Sequence, residues 1–347
     1  MRTTLTAFSL VIALVPAAAA AREYATVTRL DAATVELSRE ESGPVAVWLS
    51  RDTRIDTGDK LVDPALKAAK LKLALPADTR EFVILQLPDG STRVTAERAL
   101  PLAQASNFRD IGGYVTKDGH VVSWGKAFRS GAMPLLTDAD YALIDQLHIT
   151  TDVDLRSLDE RQVWPDQIDD REKAMFVSND YGMADLMKGF TAGNGENIYK
   201  GMEVHLAPQY RSLYRRIMAD EGAVIYHCSA GQDRTGVATA LLYDFLGVDR
   251  DTILKDYHLS TALRRTQWEM APFDPAKYPG NPMAQYLAKG LEAPRAPEPL
   301  YTRSGASHLA QFFTYLDATY GGAEGYMKQV LGFSDDDLAR LRSVMLR

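Results

Sequence analysis

Short runs of alternating apolar and polar residues fill the first part of the chain, residues 22–98. The runs lie at residues 24–30, 34–38, 45–50, 71–73, 82–87 and 92–95, and turn-forming sequences such as Gly43-Pro44 and Pro88-Asp89-Gly90 separate them. A period of two residues is typical of strands that bury one face. The pattern predicts a small antiparallel β-sandwich with Trp48 in its core. Packing is its favoured role, with binding of a partner as the alternative, because this part carries no catalytic cluster.

Beyond Pro101 the spacing changes, and extended segments alternate with helical ones. Residues 121–129 and 150–155 favour strands, whereas the apolar positions of residues 138–147 have the spacing of one helix face. Strands that alternate with helices are typical of an α/β domain with a central, mostly parallel sheet. We therefore predict a second domain over residues 101–347.

A proline-rich stretch interrupts this second domain at residues 270–303. Residues 272–299 include seven prolines, counting Pro272 and Pro299, and proline inside a helix removes a hydrogen bond and clashes with the preceding turn. The stretch is therefore predicted to be a loop or a broken helix. Two interpretations stay open, a lid over the active site, since long irregular loops are often lids, and an excursion over the surface.

The amino terminus is typical of a secretory signal peptide, residues 1–21. Arg2 precedes an apolar run at residues 5–15, and small residues at 18–21 suit cleavage near Ala21. The run is shorter than the roughly 18 residues of a membrane span, which disfavours an uncleaved anchor. We predict an exported protein, periplasmic or secreted, without stable membrane insertion.

Net charge, the single cysteine and the spacing of the histidines disfavour nucleic-acid binding, a disulfide-stabilised fold and a metal site. The net charge of −7 at neutral pH gives no basic footprint for nucleic acid. A single cysteine, Cys228, excludes a disulfide framework. The six histidines have no ligand spacing, so the sequence predicts neither a metal site nor a cofactor.

Residues 223–236, Ala-Val-Ile-Tyr-His-Cys-Ser-Ala-Gly-Gln-Asp-Arg-Thr-Gly, carry the chemistry. An apolar strand-forming run enters a loop and leaves as a strong helix former, so backbone N–H groups and a helix N-terminus converge on one point as an anion cradle. Cys228 in such a cradle is held as a thiolate nucleophile. Five residues separate it from Arg234, whose guanidinium can return to grip two oxygens of a tetrahedral dianion.

The remaining residues of this segment have supporting roles. Thr235 can donate a hydrogen bond to the sulfur and ease its departure. His227 would orient the loop from behind, although a structural histidine is the simpler interpretation. A glycine removes side-chain bulk where backbone faces a ligand. The predicted phosphate-binding residues, besides Arg234, are Ser229, Ala230, Gly231 and Gln232.

His227-Cys228, followed after five residues by Arg234-Thr235-Gly236, fits the HC-x5-R-[ST]-G signature, and the chain thereby resembles the cysteine-based protein tyrosine phosphatases. Residues 107–114 (Asn-Phe-Arg-Asp-Ile-Gly-Gly-Tyr), 128–131 and 154–157 resemble bacterial tyrosine and lipid phosphatases related to the secreted mycobacterial enzyme. The resemblance covers about residue 101 to the end of the chain. It implies hydrolysis of phosphate monoesters, above all phosphotyrosine in proteins, or a small phosphoester, through a cysteinyl-phosphate intermediate.

The resemblance also assigns the general acid to Asp233, inside the loop. Trp164-Pro165-Asp166 looks like the acid loop of animal tyrosine phosphatases, but it lies far from the signature and is interpreted as a coincidence. Asp154 is a second candidate carboxylate, or a tether of the loop. Arg109 and Arg156 could add positive potential, but pairing with acids is the favoured role.

Gln232 occupies a position where the family usually has lysine. The resemblance implies that this cation serves multiply phosphorylated inositol lipids, so Gln232 favours phosphotyrosine or another singly phosphorylated ester. An amide still donates hydrogen bonds, and phosphoinositide or dual specificity therefore stays open. So does a phosphate-binding module with weak catalysis. Sulfur transfer is disfavoured because it does not explain Arg234 and Thr235 together.

Overall fold

The computed structural model describes residues 23–40, 43–165, 167–184, 197–288 and 296–347. The predicted signal peptide, residues 1–21, lies outside these ranges and stays a prediction. Within them, no helix has the length and apolar character needed to cross a bilayer.

Residues 23–98 form two antiparallel sheets that share one apolar core. One sheet has the strand order β1-β2-β5 and the other β4-β3-β6-β7. Val35, Val47 and Val83 are fully buried between them, because alternate residues of a strand point to the same face. The strands are β1 (Ala25–Arg29), β2 (Thr34–Arg39), β3 (Val45–Ser50), β4 (Lys60–Leu66), β5 (Lys70–Ala74), β6 (Phe82–Gln86) and β7 (Thr92–Ala96).

Two details of this part differ from the sequence-based expectation. Trp48 is only half-buried and lies outside the core, because its neighbours Val47 and Leu49 take the inward positions of β3. The prediction of a core Trp48 is therefore wrong. β4 was missing from the predicted strands, because it contains Asp63 and Pro64 and most of its residues are exposed, as on an edge strand.

Residues 99–347 form a five-stranded sheet with helices on both faces, which confirms the prediction of an α/β fold. The strands are β8 (Arg109–Asp110), β9 (Ala127–Ser130), β10 (Ile149–Asp154), β11 (Met175–Ser178) and β12 (Ala223–His227). Their order is β11-β10-β12-β9-β8, with β8 antiparallel to β9 and the other neighbours parallel. The predicted strand at 121–129 begins only at Ala127.

The helices around this sheet fall into two groups, those that precede β12 in the chain and those that follow it. The first group is α1 (Asp138–Asp145), α2 (Leu158–Val163), α3 (Ile168–Glu172), α4 (Met202–His205) and α5 (Ala207–Ala219). The second group is α6 (Arg234–Leu246), α7 (Arg250–Leu263), α8 (Pro282–Ala288), α9 (His308–Tyr320), α10 (Ala323–Gln329) and α11 (Asp335–Met345). Short 3₁₀ helices lie at Thr266–Trp268 and Pro275–Lys277.

The central strand β12 is buried on both faces. Val224 and Tyr226 pack in the larger core with α5 and α6, whereas Ala223 and Ile225 pack in a second core with α1. A strand covered on both sides needs apolar residues at successive positions, which explains the continuous apolar run before Cys228. The run thus fixes the strand from which the loop departs.

The β-rich part is attached to the sheet through buried contacts. Arg80 Nη2 donates to Asp110 Oδ2 on β8 at 2.7 Å, and both side chains are buried. Phe82 and Ala96 pack against Trp124 beside this ion pair. The N-terminal strands therefore cover one edge of the α/β part.

The described residues of the proline-rich stretch pack against α2. Trp164, just after α2, donates from Nε1 to the carbonyl of Ala271 at 2.8 Å, and Ala284 on α8 is fully buried against Val163 and Trp164. The described part of the stretch contains a 3₁₀ helix and α8 rather than one long helix. A lid function stays a prediction.

Candidate active site

The loop between β12 and α6 carries Cys228 at the carboxyl end of the central strand. β12 ends at His227 and α6 begins at Arg234, so residues 228–233 connect them. Cys228 is only 2% exposed. The strand–loop–helix arrangement that the sequence predicts is therefore present.

Three consecutive loop carbonyls point away from the loop and are held by neighbouring donors. The Ala132 N–H donates to the carbonyl of residue 229 at 2.9 Å. Asn107 Nδ2 donates to the carbonyls of residues 230 and 231 at 3.1 and 2.9 Å, and Arg129 Nη2 donates to the latter at 2.8 Å. Asn107 belongs to the sequence motif at 107–114, but that motif does not reveal this role.

The N–H groups of the same peptide units must point the opposite way, towards the hollow of the loop. Within the described ranges, the N–H groups of residues 230–232 meet no protein acceptor. Unpaired N–H groups that converge in a strand-to-helix loop bind oxyanions. The geometry therefore has the property of an anion cradle.

The sequence predicts that glycine at position 231 makes room for a ligand, but the structure shows a different reason for glycine at this position. Its φ of +64° is unfavourable for other residues, and a Cβ at this position would lie 2.4 Å from the carbonyl oxygen of Ser130. The crowding comes from the backbone of the neighbouring strand β9, not from the ligand side. Any side chain would displace the loop from this strand.

Arg234 forms a buried, bidentate pair with Glu160 on α2. Nη1 donates to Oε2 at 2.7 Å and Nη2 to Oε1 at 2.8 Å, while Tyr181 accepts from Nη1 at 2.9 Å. Burial alone would raise the pKa of Glu160, but Arg234 outweighs it and lowers that pKa to about 2. The Nε–H of Arg234 has no acceptor among the described residues, so this edge is available for a phosphate.

Glu160 is a functional residue that sequence reasoning missed. It closes a capping box with Ser157 at the start of α2 and accepts a short hydrogen bond from the Ser229 hydroxyl. The pattern Ser157-x-x-Glu160 signals a helix start, but nothing in it reveals a partner 74 residues away. Only the fold brings α2 to the loop.

The four predicted supporting residues are buried, and each lies beside a carboxylate or an arginine. The Nε2 atom of His227 is 3.4 Å from Asp152 Oδ1 and 3.8 Å from Asp154 Oδ2. Asp154 pairs with Arg156 at 2.6 Å, and its role as a second carboxylate or as a tether of the loop stays a prediction. Arg109 pairs with Asp256 at 3.3 Å.

Asp233 and Thr235 differ in their surroundings. Asp233 is half-buried, and its Oδ1 accepts from the hydroxyl of Tyr199 at 2.6 Å. The Thr235 hydroxyl is buried without a hydrogen-bond partner in the described part of the chain, the Cys228 sulfur included. Asp166, the alternative acid, lies outside the described residues.

Gln232 has a cation beside it that the sequence did not reveal. Its Oε1 accepts from Arg264 Nη1 at 3.0 Å, and Arg264 forms an ion pair with Glu269 at 2.7 Å. Position 232 thus carries no positive charge itself, but the side chain of Arg264, which contacts it, does. Glu269 offsets that charge.

A model of the tyrosine phosphatase family matches residues 100–347. The chain belongs to the tyrosine phosphatase family. The resemblance noted from the signature is thereby confirmed, and the protein is a phosphoric monoester hydrolase by family. Among the described residues, no group of three or more His, Cys, Asp or Glu side chains could hold a metal ion in this phosphatase.

The phosphatase is similar to curated proteins of two organisms. It is 31% identical over 222 residues to a tyrosine-protein phosphatase of Nostoc commune, which spans 62% of this chain and 72% of that protein. It is 27% identical over 300 residues to the triple specificity protein phosphatase PtpB of Mycobacterium tuberculosis, across 72% of this chain and 99% of that protein. The crystal structure of TpbA from P. aeruginosa matches with 20% identity and a TM-score of 0.27, over 40% of this chain and 71% of that chain, too small an agreement to carry an argument.

Replacement of Glu160 by glutamine tests the pair with Arg234. We expect Glu160→Gln to lower the free energy of unfolding at pH 7 by about 3 kcal/mol, because it leaves Arg234 buried without a charge partner. We also expect kcat/KM for an aryl phosphate to fall about tenfold, since the clamp loses its orientation. Urea unfolding and steady-state kinetics measure the two effects.

The pH dependence of this stability difference has a defined sign. The pKa of Glu160 falls from 4.5 to about 2 on folding, so its contribution is present above pH 4.5 and is lost as the pH falls towards 2. The difference between wild type and variant should therefore shrink between pH 5 and pH 3. Glu203→Gln is the control, because Glu203 is equally buried but accepts from Tyr315 and Tyr320. Equal effects of both substitutions would contradict the role of Glu160.

Proposed function

We propose that the protein removes phosphate from monoesters, with phosphotyrosine in proteins as its main substrate, through a cysteinyl-phosphate intermediate on Cys228. The observation that carries this proposal is the loop whose N–H groups 230–232 face inwards around the strand end that bears Cys228. The open Nε edge of Arg234 supports it, because a phosphate needs a planar cation beside the backbone donors.

In the first step the Cys228 sulfur attacks phosphorus, an S–P bond forms, and the bond between phosphorus and the ester oxygen breaks. Asp233 gives its proton to the departing oxygen. In the second step a water oxygen attacks phosphorus, the S–P bond breaks, and Asp233 takes up a proton from that water. The buried hydroxyl of Thr235 is proposed to donate to the sulfur as the thiolate departs.

Phosphoinositide or dual-specificity hydrolysis is the second candidate, and the contact between Arg264 and Gln232 favours it. The mycobacterial relative carries the name triple specificity protein phosphatase. Arg264 supplies a cation beside the loop, but Glu269 pairs with it at 2.7 Å. The offset charge supports a preference for singly phosphorylated esters.

We propose further that residues 22–98 are a small β-sandwich domain and residues 101–347 the phosphatase domain. Two antiparallel sheets with a common apolar core support the first assignment. Export through the segment 1–21 is part of the proposal, supported by its apolar run at residues 5–15 and by the small residues at 18–21.

The nucleophile is tested with Cys228→Ser. We expect turnover of a phosphotyrosine peptide to be abolished while binding of the peptide persists, because a serine hydroxyl is not ionised at neutral pH and the cradle stays intact. Stopped assays of phosphate release and calorimetric titration with the peptide measure the two. Turnover near the wild-type rate would end the cysteine hypothesis.

The general acid is tested with two esters of different leaving group. We expect Asp233→Asn to slow phenyl phosphate roughly a hundredfold but p-nitrophenyl phosphate only slightly, because nitrophenolate departs without a proton. Asp166→Asn is the matched control and should leave both rates unchanged. Selective loss in Asp166→Asn would transfer the role to that residue, and equal loss on both esters in Asp233→Asn would indicate a damaged loop.

The substrate preference is tested with Gln232→Lys. A lysine at position 232 adds a cation to the loop itself, so the ratio of activity on inositol phosphates to activity on phosphotyrosine peptide should rise about tenfold, or about 1.4 kcal/mol. Gln329→Lys adds the same charge at an exposed position of α10 and controls for net charge. A ratio that stays flat would remove Gln232 as the selectivity determinant.

A further inference from the structure

Two buried tyrosines form a hydrogen-bonded chain that ends on Asp233. The hydroxyl of Tyr199 is 2.6 Å from Asp233 Oδ1 and 2.5 Å from the hydroxyl of Tyr257. Both phenols are at most 1% exposed. They therefore act on Asp233 from the protein side and do not touch the solvent from which a substrate arrives.

Each tyrosine hydroxyl has one hydrogen, and this number fixes the direction of the hydrogen bonds between Tyr257, Tyr199 and Asp233. An ionised carboxylate has no hydrogen, so the contact with Asp233 uses the hydrogen of Tyr199, and the contact between the phenols then uses that of Tyr257. The reverse order would leave the hydrogen of Tyr257 without an acceptor, because its hydroxyl has no other hydrogen-bond contact among the described residues. Donation thus runs from Tyr257 to Tyr199 to Asp233.

We propose that Tyr199, supported by Tyr257, is a positioning residue that keeps Asp233 Oδ1 as an acceptor, so that the proton given to the leaving group is carried on Oδ2. This inference rests on the proposed function, in which Asp233 is the general acid. A proton on Oδ1 would meet the hydrogen of Tyr199, whereas Oδ2 has no protein donor in the described ranges. The hydrogen bonds of Tyr257 to Tyr199 and of Tyr199 to Asp233 also fix the position of the carboxyl group. This position matters because a general acid must lie within hydrogen-bond distance of the departing oxygen.

The surroundings keep the two phenols in place and protonated. The ring of Tyr199 contacts Tyr257, His308 and Phe312 edge-on, with ring centroids 6.2, 6.2 and 6.4 Å apart. Burial, and then the charge of Asp233, raises the pKa of Tyr199 well above its ordinary value. Tyr199 therefore stays a donor throughout the pH range in which the phosphatase would work.

Four titratable or charged groups face Asp233, and each must be considered in a pH profile. Tyr199 and Tyr257 stay protonated, because burial raises the pKa of both. Arg264 stays cationic beside the loop. Burial lowers the pKa of His308, although the charge of Asp233 opposes this shift. Titration of His308 is thus a source of pH dependence besides Asp233 and Cys228, and a profile of His308→Gln separates it.

The experiment compares Tyr199→Phe with Tyr214→Phe. Each substitution removes one fully buried hydroxyl, and Tyr214 donates to the carbonyl of Ala238 on α6 rather than to an acid. We expect Tyr199→Phe to reduce kcat for phenyl phosphate about tenfold and for p-nitrophenyl phosphate less than about twofold. The basic limb of the kcat profile should move to higher pH, because the ionised form of Asp233 loses a donor. Tyr214→Phe should change neither the ratio nor the limb.

The outcomes separate this inference from the proposed function. The positioning role would be overturned, and the acid assignment kept, if Asp233→Asn slowed phenyl phosphate selectively while Tyr199→Phe left kcat for both esters at the wild-type value. Equal losses on both esters in Tyr199→Phe and Tyr214→Phe would show a merely structural effect and would also overturn it. Absence of leaving-group selectivity in Asp233→Asn would overturn the acid assignment and the inference with it.

Discussion

The outward orientation of the carbonyls at residues 229–231 is the constraint on which the site depends. A peptide unit has its donor and acceptor on opposite sides, so inward N–H groups require partners for the carbonyls outside the loop. The Ala132 N–H, Asn107 and Arg129 are those partners. Asp256 lies between Arg129 and Arg109. Burial raises the pKa of Asp256, but the arginines outweigh it and the pKa is lowered. A buried ionic cluster thus maintains the shape of a small loop.

Charge at the site is balanced rather than concentrated. Arg234 is paired with Glu160 and Arg264 with Glu269. Excess attraction for an anion must then come from backbone donors and from the free edge of Arg234. Such donors have fixed positions, so they recognise the shape of a phosphate more than its total charge. This arrangement fits a protein whose net charge is −7.

The sequence predicts what is local and fails where distant segments meet. The signature around Cys228 predicted strand, loop and helix, because each follows from neighbouring residues. Glu160 and Asn107 were missed because they lie 74 and 123 residues from their partners in the loop. Tyr199 carried no local signal, since a tyrosine in an apolar setting is more often core. Trp48 was placed wrongly because composition does not reveal which of two faces a side chain takes.

The ion pair between Arg80 and Asp110 makes the catalytic part of the chain depend on a side chain of the β-rich part. A fragment cut to the family-matched residues 100–347 would lose Arg80 and Phe82 together. Asp110 would keep only its backbone donors, Gly112 and Gly125, and Trp124 would face water. Because Asp110 adjoins Arg109, the damage would begin one residue from the cluster that shapes the loop. The β-rich part therefore covers buried side chains of the catalytic part, and a fragment limited to residues 100–347 would expose Asp110 and Trp124.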